Sequence, residues 1–400
     1  MSRKTFMIIL RVAAVVILAV ILVPKVIDYI NQPEVEETVI GYSSSTSRAV
    51  VSGIIEEGDI TLGDVTQPYQ IVEVEVEEGE YAGLFFKIEY GTRQIRNEMI
   101  MLKPGDKLMV TLTTLPTGEI SAQFTDFYRT DSLALLLGIF ILASVLISGW
   151  KGVRSLLGIL LSLAVIILII LPGIQAGKDP LMISIFGAFL FMAFSLYLVY
   201  GWTVKTHAAV LGSLAALAIT GILAFIFVNH TRLTGYGDEN MFYISQLTGN
   251  TLNVRSLLLA GVLIGTLGVL DDLVISQASA VFELFRTNPE QTFKDLYRSA
   301  MHIGQDHIAA TVNTLVLAYA GASMPMLLLF SYSNVDFTMA LNLEFIAEEI
   351  VRTLVGSLGL FAAVPITTAL SAAIAVNYRN FGELKTYLGP LNDNGGHHHH

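Results

Sequence analysis

Residues 256–282 read SLLLAGVLIGTLGVLDDLVISQASAVF. Apart from Asp271 and Asp272 the stretch carries no charge. It is long enough for a helix that crosses a bilayer, which takes about 20 residues. A carboxylate in such a segment is costly and is therefore a candidate functional group. On a helix, Asp272, Ser276, Ser279 and Glu283 form one polar stripe, with Asp271 about 100° away from it. Two adjacent ionised carboxylates in low dielectric repel, and a shared proton relieves the conflict. A bound cation, held by carboxylate and hydroxyl oxygens, would do the same. The plainer alternative is a pair of acids in an aqueous vestibule or paired with neighbours. Gly261-xxx-Gly265 adjoins the stripe and permits a second helix to approach closely, and Gly268 continues that face.

Further charge-poor runs lie at 5–23, 132–150, 155–177, 180–204, 206–231, 307–335 and 353–378. With 256–282 they predict eight spans. The composition agrees: of 400 residues 14% are charged and 53% apolar, and the mean hydropathy is +0.63. A soluble domain carries about 25% charged residues. There is no basic field for nucleic acid, so no nucleic-acid partner is expected. Cysteine is absent, which excludes disulfides, thiolate metal sites and cysteine nucleophiles. Gly395 to His400 reads as a linker and tag fragment. The run 5–23 follows Arg3-Lys4 and has no small-x-small cleavage site before Pro24, so it reads as an uncleaved signal anchor.

The positive-inside rule sets the orientation. Arg3, Lys4, Lys151, Arg154, Lys205, Arg286, Lys294, Arg298, Arg379 and Lys385 fall on one side, against Lys178, Arg232 and Arg255 on the other. Both termini are expected to be cytoplasmic and residues 31–130 outside. That outer segment holds 17 acidic and 7 basic residues. Its QIVEVEVEE at 70–78 alternates, with Val72, Val74 and Val76 on one face and Glu73, Glu75 and Glu77 on the other. Turn chemistry at Glu57-Gly58-Asp59, Glu78-Gly79-Glu80, Lys103-Pro104-Gly105-Asp106 and Pro116-Thr117-Gly118 predicts a small β-barrel or sandwich. The Ser43–Ser47 run reads as a loop.

Asn288-Pro289 is expected to start a short surface helix whose apolar stripe is Phe293, Leu296, Tyr297, Ala300 and Met301. In the seventh span His302, Asp306, Ala310 and Asn313 share a face, flanked by His307, Thr311 and Thr314. Asp306 either lines a site or caps a helix from 307 onward. Asn313 either lines a site or bonds a neighbouring helix. Asp272 is expected to face the bundle interior, within reach of the Asp306/Asn313 face. Pro325 and Pro365 can each interrupt a helix, a common feature of ion routes. Arg352 follows Glu348 and Glu344 at helical spacing, which predicts local ion pairs outside. No hydrolase or nucleotide-binding signature is present, so no enzymatic activity, cofactor or metal site is expected. An aspartyl-protease pair of Asp272 with Asp306 is disfavoured by their different depths.

These residues carry a resemblance. The sixth span, through Gly265, Gly268, Asp272, Ser276, Ala278 and Ser279, resembles the YibE/F family of bacterial multi-span membrane proteins. The seventh does so through Gly304, Asp306, Asn313, Thr314, Leu315, Leu317, Ala318 and Tyr319, with Pro325 following. In the outer segment, Glu78 to Gly83, Lys103 to Asp106 and Thr125 to Arg129 resemble that family's barrel and its entry to the second span. Asp271 departs from the pattern, which has an apolar residue there. The resemblance implies a mainly helical polytopic protein of the bacterial plasma membrane, at most a permease, and names no substrate.

The expected organisation is a signal anchor and first span (1–30), an extracytoplasmic β domain (31–130), a seven-helix membrane domain (131–378), a cytoplasmic tail (379–394) and the tag fragment (395–400). The expected function is secondary transport of a small solute coupled to H+ or a monovalent cation. Asp272, Asp271, Ser276, Ser279, Asp306, Asn313 and Thr314 are the candidate site. Gly261, Gly265, Gly268, Pro325 and Pro365 are candidate packing or gating positions. Membrane lipid is the implied surrounding. The competing reading is a receptor or assembly factor whose β domain binds a cell-envelope protein.

Overall fold

The computed structural model describes residues 43–95, 100–115, 118–332, 336–382 and 384–391. The predicted first span, 5–23, lies outside them. The described residues form two compact units, one within Ile30–Ile147 and one within Ser148–His400.

In the first unit β1 (Ser43–Leu62), β2 (Val65–Val76), β3 (Phe85–Tyr90), β4 (Lys107–Thr114) and β5 (Ile120–Phe127) form one antiparallel sheet in the order β3-β2-β1-β4-β5. The long β1 pairs with β2 and β4, and register shifts at Val51/Gly53 and Ile54/Glu56 bend it. The Tyr90 and Phe124 rings, 4.7 Å apart, draw the β3 and β5 edges together into a half-barrel. The alternation read at 70–78 holds: Val72, Val74 and Val76 are fully buried, and Glu73, Glu75 and Glu77 face out. Two expectations fail here. Ser43–Ser47 is not a loop but the start of β1, paired with β4. Gly58 makes no turn; it sits opposite Tyr69, whose ring would lie 3.1 Å from an added Cβ and so covers the glycine.

Helices follow from Thr130. They are α1 (Thr130–Val165), α2 (Leu171–Gln175), α3 (Pro180–Tyr200), α4 (Val204–His230), α5 (Glu239–Leu247), α6 (Val254–Thr287), α7 (Phe293–Ala322), α8 (Met324–Tyr332), α9 (Phe337–Asn342), α10 (Glu344–Asn377) and α11 (Leu384–Leu388). Their starts are set by side-chain caps: Asp179 accepts from Met182 N–H, Thr203 from Thr206, Asn253 from Ser256 and Thr292 from Asp295.

Among the described residues five helical runs are long and apolar enough to cross a bilayer: Thr130–Gln175, Pro180–Tyr200, Val204–His230, Val254–Thr287 and Glu344–Asn380. The α7–α8 pair, bent by 60°, makes a sixth if counted as one broken span. Of the expected eight, the first lies outside the described residues, and the other seven fall in these six runs, two of them sharing Thr130–Gln175. The runs 132–150 and 155–177 lie in one run because two helices join across a kink at Gly149, whose φ 55 and ψ −134 are not helical. A π-turn at Ile166–Ile170 precedes Pro172, whose missing N–H and ring a regular turn would not accommodate. The bend between α7 and α8 falls at Ser323, two residues before Pro325. Pro365, by contrast, lies inside an unbroken α10.

The 286–306 connection also differs from expectation. Asn288 ends α6, and α7 starts at Phe293 and runs unbroken through Asp306, which is therefore not a cap. The apolar stripe is not laid on a membrane surface. Leu296 and Ala300 are fully buried in a cluster with Val281, Phe282, Phe285, Ala372 and Ala375. Near Arg352 the partners are also different. Arg352 pairs with Glu349 at 2.6 Å. Glu344 instead accepts from the Thr234 hydroxyl at 2.7 Å and the Gly235 N–H at 3.0 Å, and Glu348 from the Gly237 N–H at 3.2 Å. The two acids hold the segment that follows α4.

At the opposite end of α4 the last described residues dock onto the α3–α4 turn. Val204 N–H donates to the Pro390 carbonyl at 3.0 Å, Trp202 Nε1 to Tyr387 at 2.8 Å and His207 Nε2 to Leu388 at 3.1 Å. The other His207 nitrogen, Nδ1, shares a 2.6 Å hydrogen bond with the Tyr197 hydroxyl.

Candidate functional site

The centre of the helical unit is α6, packed by α3, α4, α7 and α10. Small residues set the approach of these neighbours. Gly212 of α4 receives Thr367 of α10, and eight residues along each helix the roles reverse, with Gly359 of α10 receiving Thr220 of α4. Gly356 faces Thr266 of α6, 3.1 Å from an added Cβ, and Gly304 of α7 is closed by Val364 and Gln277. Each glycine lets a neighbouring side chain sit against backbone, which brings the helices close.

Buried polar groups line this packing. Asp271, near the middle of α6, is 8% exposed and accepts a hydrogen bond from Ser213 Oγ of α4 at 3.3 Å. One turn and a half further, Gln277 donates to the Ala300 carbonyl of α7 at 3.0 Å and to Thr368 Oγ1 of α10 at 2.7 Å. Gln277 Oε1, Thr367 Oγ1 and Ser371 Oγ are buried with no hydrogen-bond partner among the described residues. Such atoms, in a low-dielectric interior, are sites that a water, proton or small cation can satisfy.

The two adjacent aspartates therefore separate. Asp271 is the inward one, and Asp272 lies on an exposed stripe of α6 with Gly261, Gly265, Gly268 and Glu283. This reverses the expected orientation of Asp272. Ser276 and Ser279 are half-buried beside that stripe, and Ser279 Oγ donates to the Ile275 carbonyl at 2.7 Å. Glu283 is paired with Arg286, its carboxylate 3.1 Å from Nε. Gly261 and Gly268 have nothing within 4 Å of an added Cβ, so they do not make the expected helix contact; Gly265 meets the Tyr319 hydroxyl at 2.9 Å.

The α7 candidates are not brought to Asp272. Gly304, Ile308 and Leu315 form the buried side of α7. Asp306 and Asn313 are each two residues from one of them, hence on the opposite side, and both are exposed, as is Thr314. Thr314 Oγ1 donates to the Ala310 carbonyl at 3.0 Å. Asn313 opens into a groove of 710 Å³ between α7 and α10, whose α10 wall is Phe361 and Pro365. Sequence reasoning missed Ser213, Gln277, Thr367 and Thr368. The available signal was a polar residue inside an otherwise apolar run. Among the described residues no group of three or more His, Asp or Glu is placed to hold a metal ion.

Apolar helices around a buried carboxylate define a polytopic membrane protein. A family model described as YibE/F-like protein matches residues 136–377, more than half of the chain, and the chain belongs to that family. No curated protein and no solved structure matches it.

Proposed function

We propose that the protein is a secondary transporter of a small solute in the bacterial plasma membrane, coupled to H+ or a monovalent cation, with Asp271 as the coupling carboxylate. One observation carries the reading: a carboxylate midway along the most enclosed apolar helix, held by a single serine hydroxyl. A group retained there against its desolvation cost has a use in binding charge. Asp272, on the adjoining open stripe, supplies a second carboxylate through which the cation reaches or leaves the first. The partly satisfied Gln277–Thr368 cluster supports a polar route deeper in the bundle.

The test is proton movement in proteoliposomes with an entrapped pH dye. Small organic acids, bases and amino acids are added as a panel under an imposed pH gradient. At least one solute should accelerate collapse of the gradient. Asp271→Asn, which keeps the Ser213 hydrogen bond but cannot cycle a proton, should abolish the acceleration, and Asp272→Asn should slow it. Full activity in Asp271→Asn would sink the assignment of that residue. No response to any solute or cation with folded protein would sink the transporter reading.

A further inference from the structure

We propose that the outer face of α7 is a contact surface for a second copy of this chain. His302, Asp306 and Asn313 form a line on that face, and among the described residues none has a hydrogen-bond or ion-pair partner. From His307 onward the helix joins an apolar run, in which Asn313 lies, and His302 and Asp306 stand at its entrance. An amide in hydrocarbon needs a partner, and a carboxylate there is costlier still. A covering surface must therefore supply donors and acceptors in the same line.

The face itself has that pattern. In a two-fold contact the same patch meets itself, so it must be self-complementary. An asparagine amide both donates and accepts, so Asn313 satisfies Asn313 of a second copy. In the same register Asp306 faces Asp306, and the other copy's His302, one turn away on the same face, is the group that offsets their repulsion. Ala309 and Ala310 beside the line allow the backbones to approach. The 710 Å³ groove next to Asn313 gives the incoming helix a recess against Phe361 and Pro365. The apolar run 5–23 of the same chain is a poorer match, because its two polar side chains, Thr5 and Arg11, are too few and too close together to answer His302, Asp306 and Asn313.

The absence of cysteine makes the test direct. Ala309→Cys and Leu317→Cys place single thiols beside the line without removing it; Phe225→Cys places one on the exposed side of α4. Membranes containing the full-length variants are treated with an oxidant and resolved without reductant. Ala309→Cys and Leu317→Cys should yield covalent dimers, and Phe225→Cys should not. Adding Asn313→Leu to Ala309→Cys should lower the dimer yield roughly tenfold, the size expected for losing a polar contact between helices. The proposal is overturned if both α7 thiols react with a maleimide yet form no dimer, or if Phe225→Cys dimerises equally. A cross-link within one chain between Asp306→Cys and Arg11→Cys would overturn it too, assigning the face to the run 5–23.

Discussion

α6 and α7 are packed neighbours, each with carboxylate and amide side chains in its middle turns. They use those groups in opposite ways. α6 turns Asp271 and Gln277 inward to Ser213, Ala300 and Thr368. α7 turns Asp306 and Asn313 outward and buries Gly304, Ile308 and Leu315. The difference shows that a helix's own polar stripe does not decide its inward face. The sockets on neighbouring helices do: wherever a glycine faces a threonine, valine or glutamine, the rotation of both helices is fixed.

If that account is right, filling a socket is more damaging than removing a polar group. Gly359→Val, whose side chain would collide with Thr220, should destabilise the detergent-solubilised protein by about 3 kcal/mol. Thr220→Ala should restore part of the loss in the double variant. An unchanged melting temperature in Gly359→Val would break the socket argument. Next in size, Gln277→Leu loses bonds to two helices and should cost about 1–2 kcal/mol, read in the same melting experiment. The smallest effect should come from the outward group. Asn313→Leu, measured on monomer in detergent, should change stability by no more than about 0.5 kcal/mol. A loss as large as that of Gln277→Leu would mean that α7 packs on both sides and that the contrast between the helices is false.

The two units differ in how much their sequences disclose. In β2 the valine–glutamate alternation names the buried face residue by residue, because one side meets water and the other the core. In the helices both lipid and protein are apolar, so hydrophobicity carries no phase. Polar residues alone then mark a face, and they mark that of Asp272, whereas Asp271 is the one turned inward. The Gly212–Thr367 and Gly359–Thr220 contacts could not be read, since they depend on the register of helices more than a hundred residues apart. The start of α7 was legible but passed over. Thr292 and Asp295 stand at capping-box spacing, and their side chains hydrogen-bond at 2.6 Å. Charge at Asp306 was a weaker signal than that cap. In the β domain, Gly58 misled because a glycine within a strand, sheltered by a cross-strand tyrosine, has the same flanks as a turn.

The segment docked on the α3–α4 turn bears on the order in which the protein is made. The N–H of Val204 is satisfied by Pro390, a residue translated 186 positions later, and the Trp202 and His207 side chains wait for the same segment. While the ribosome is still working, that turn is left open with three donors unanswered. Residues 387–390 then close it as a latch, once the intervening helices are threaded into the bilayer. A ribosome stalled before residue 384 would leave a nascent chain with its helices inserted but the latch missing, a state that proteases could distinguish from the finished protein.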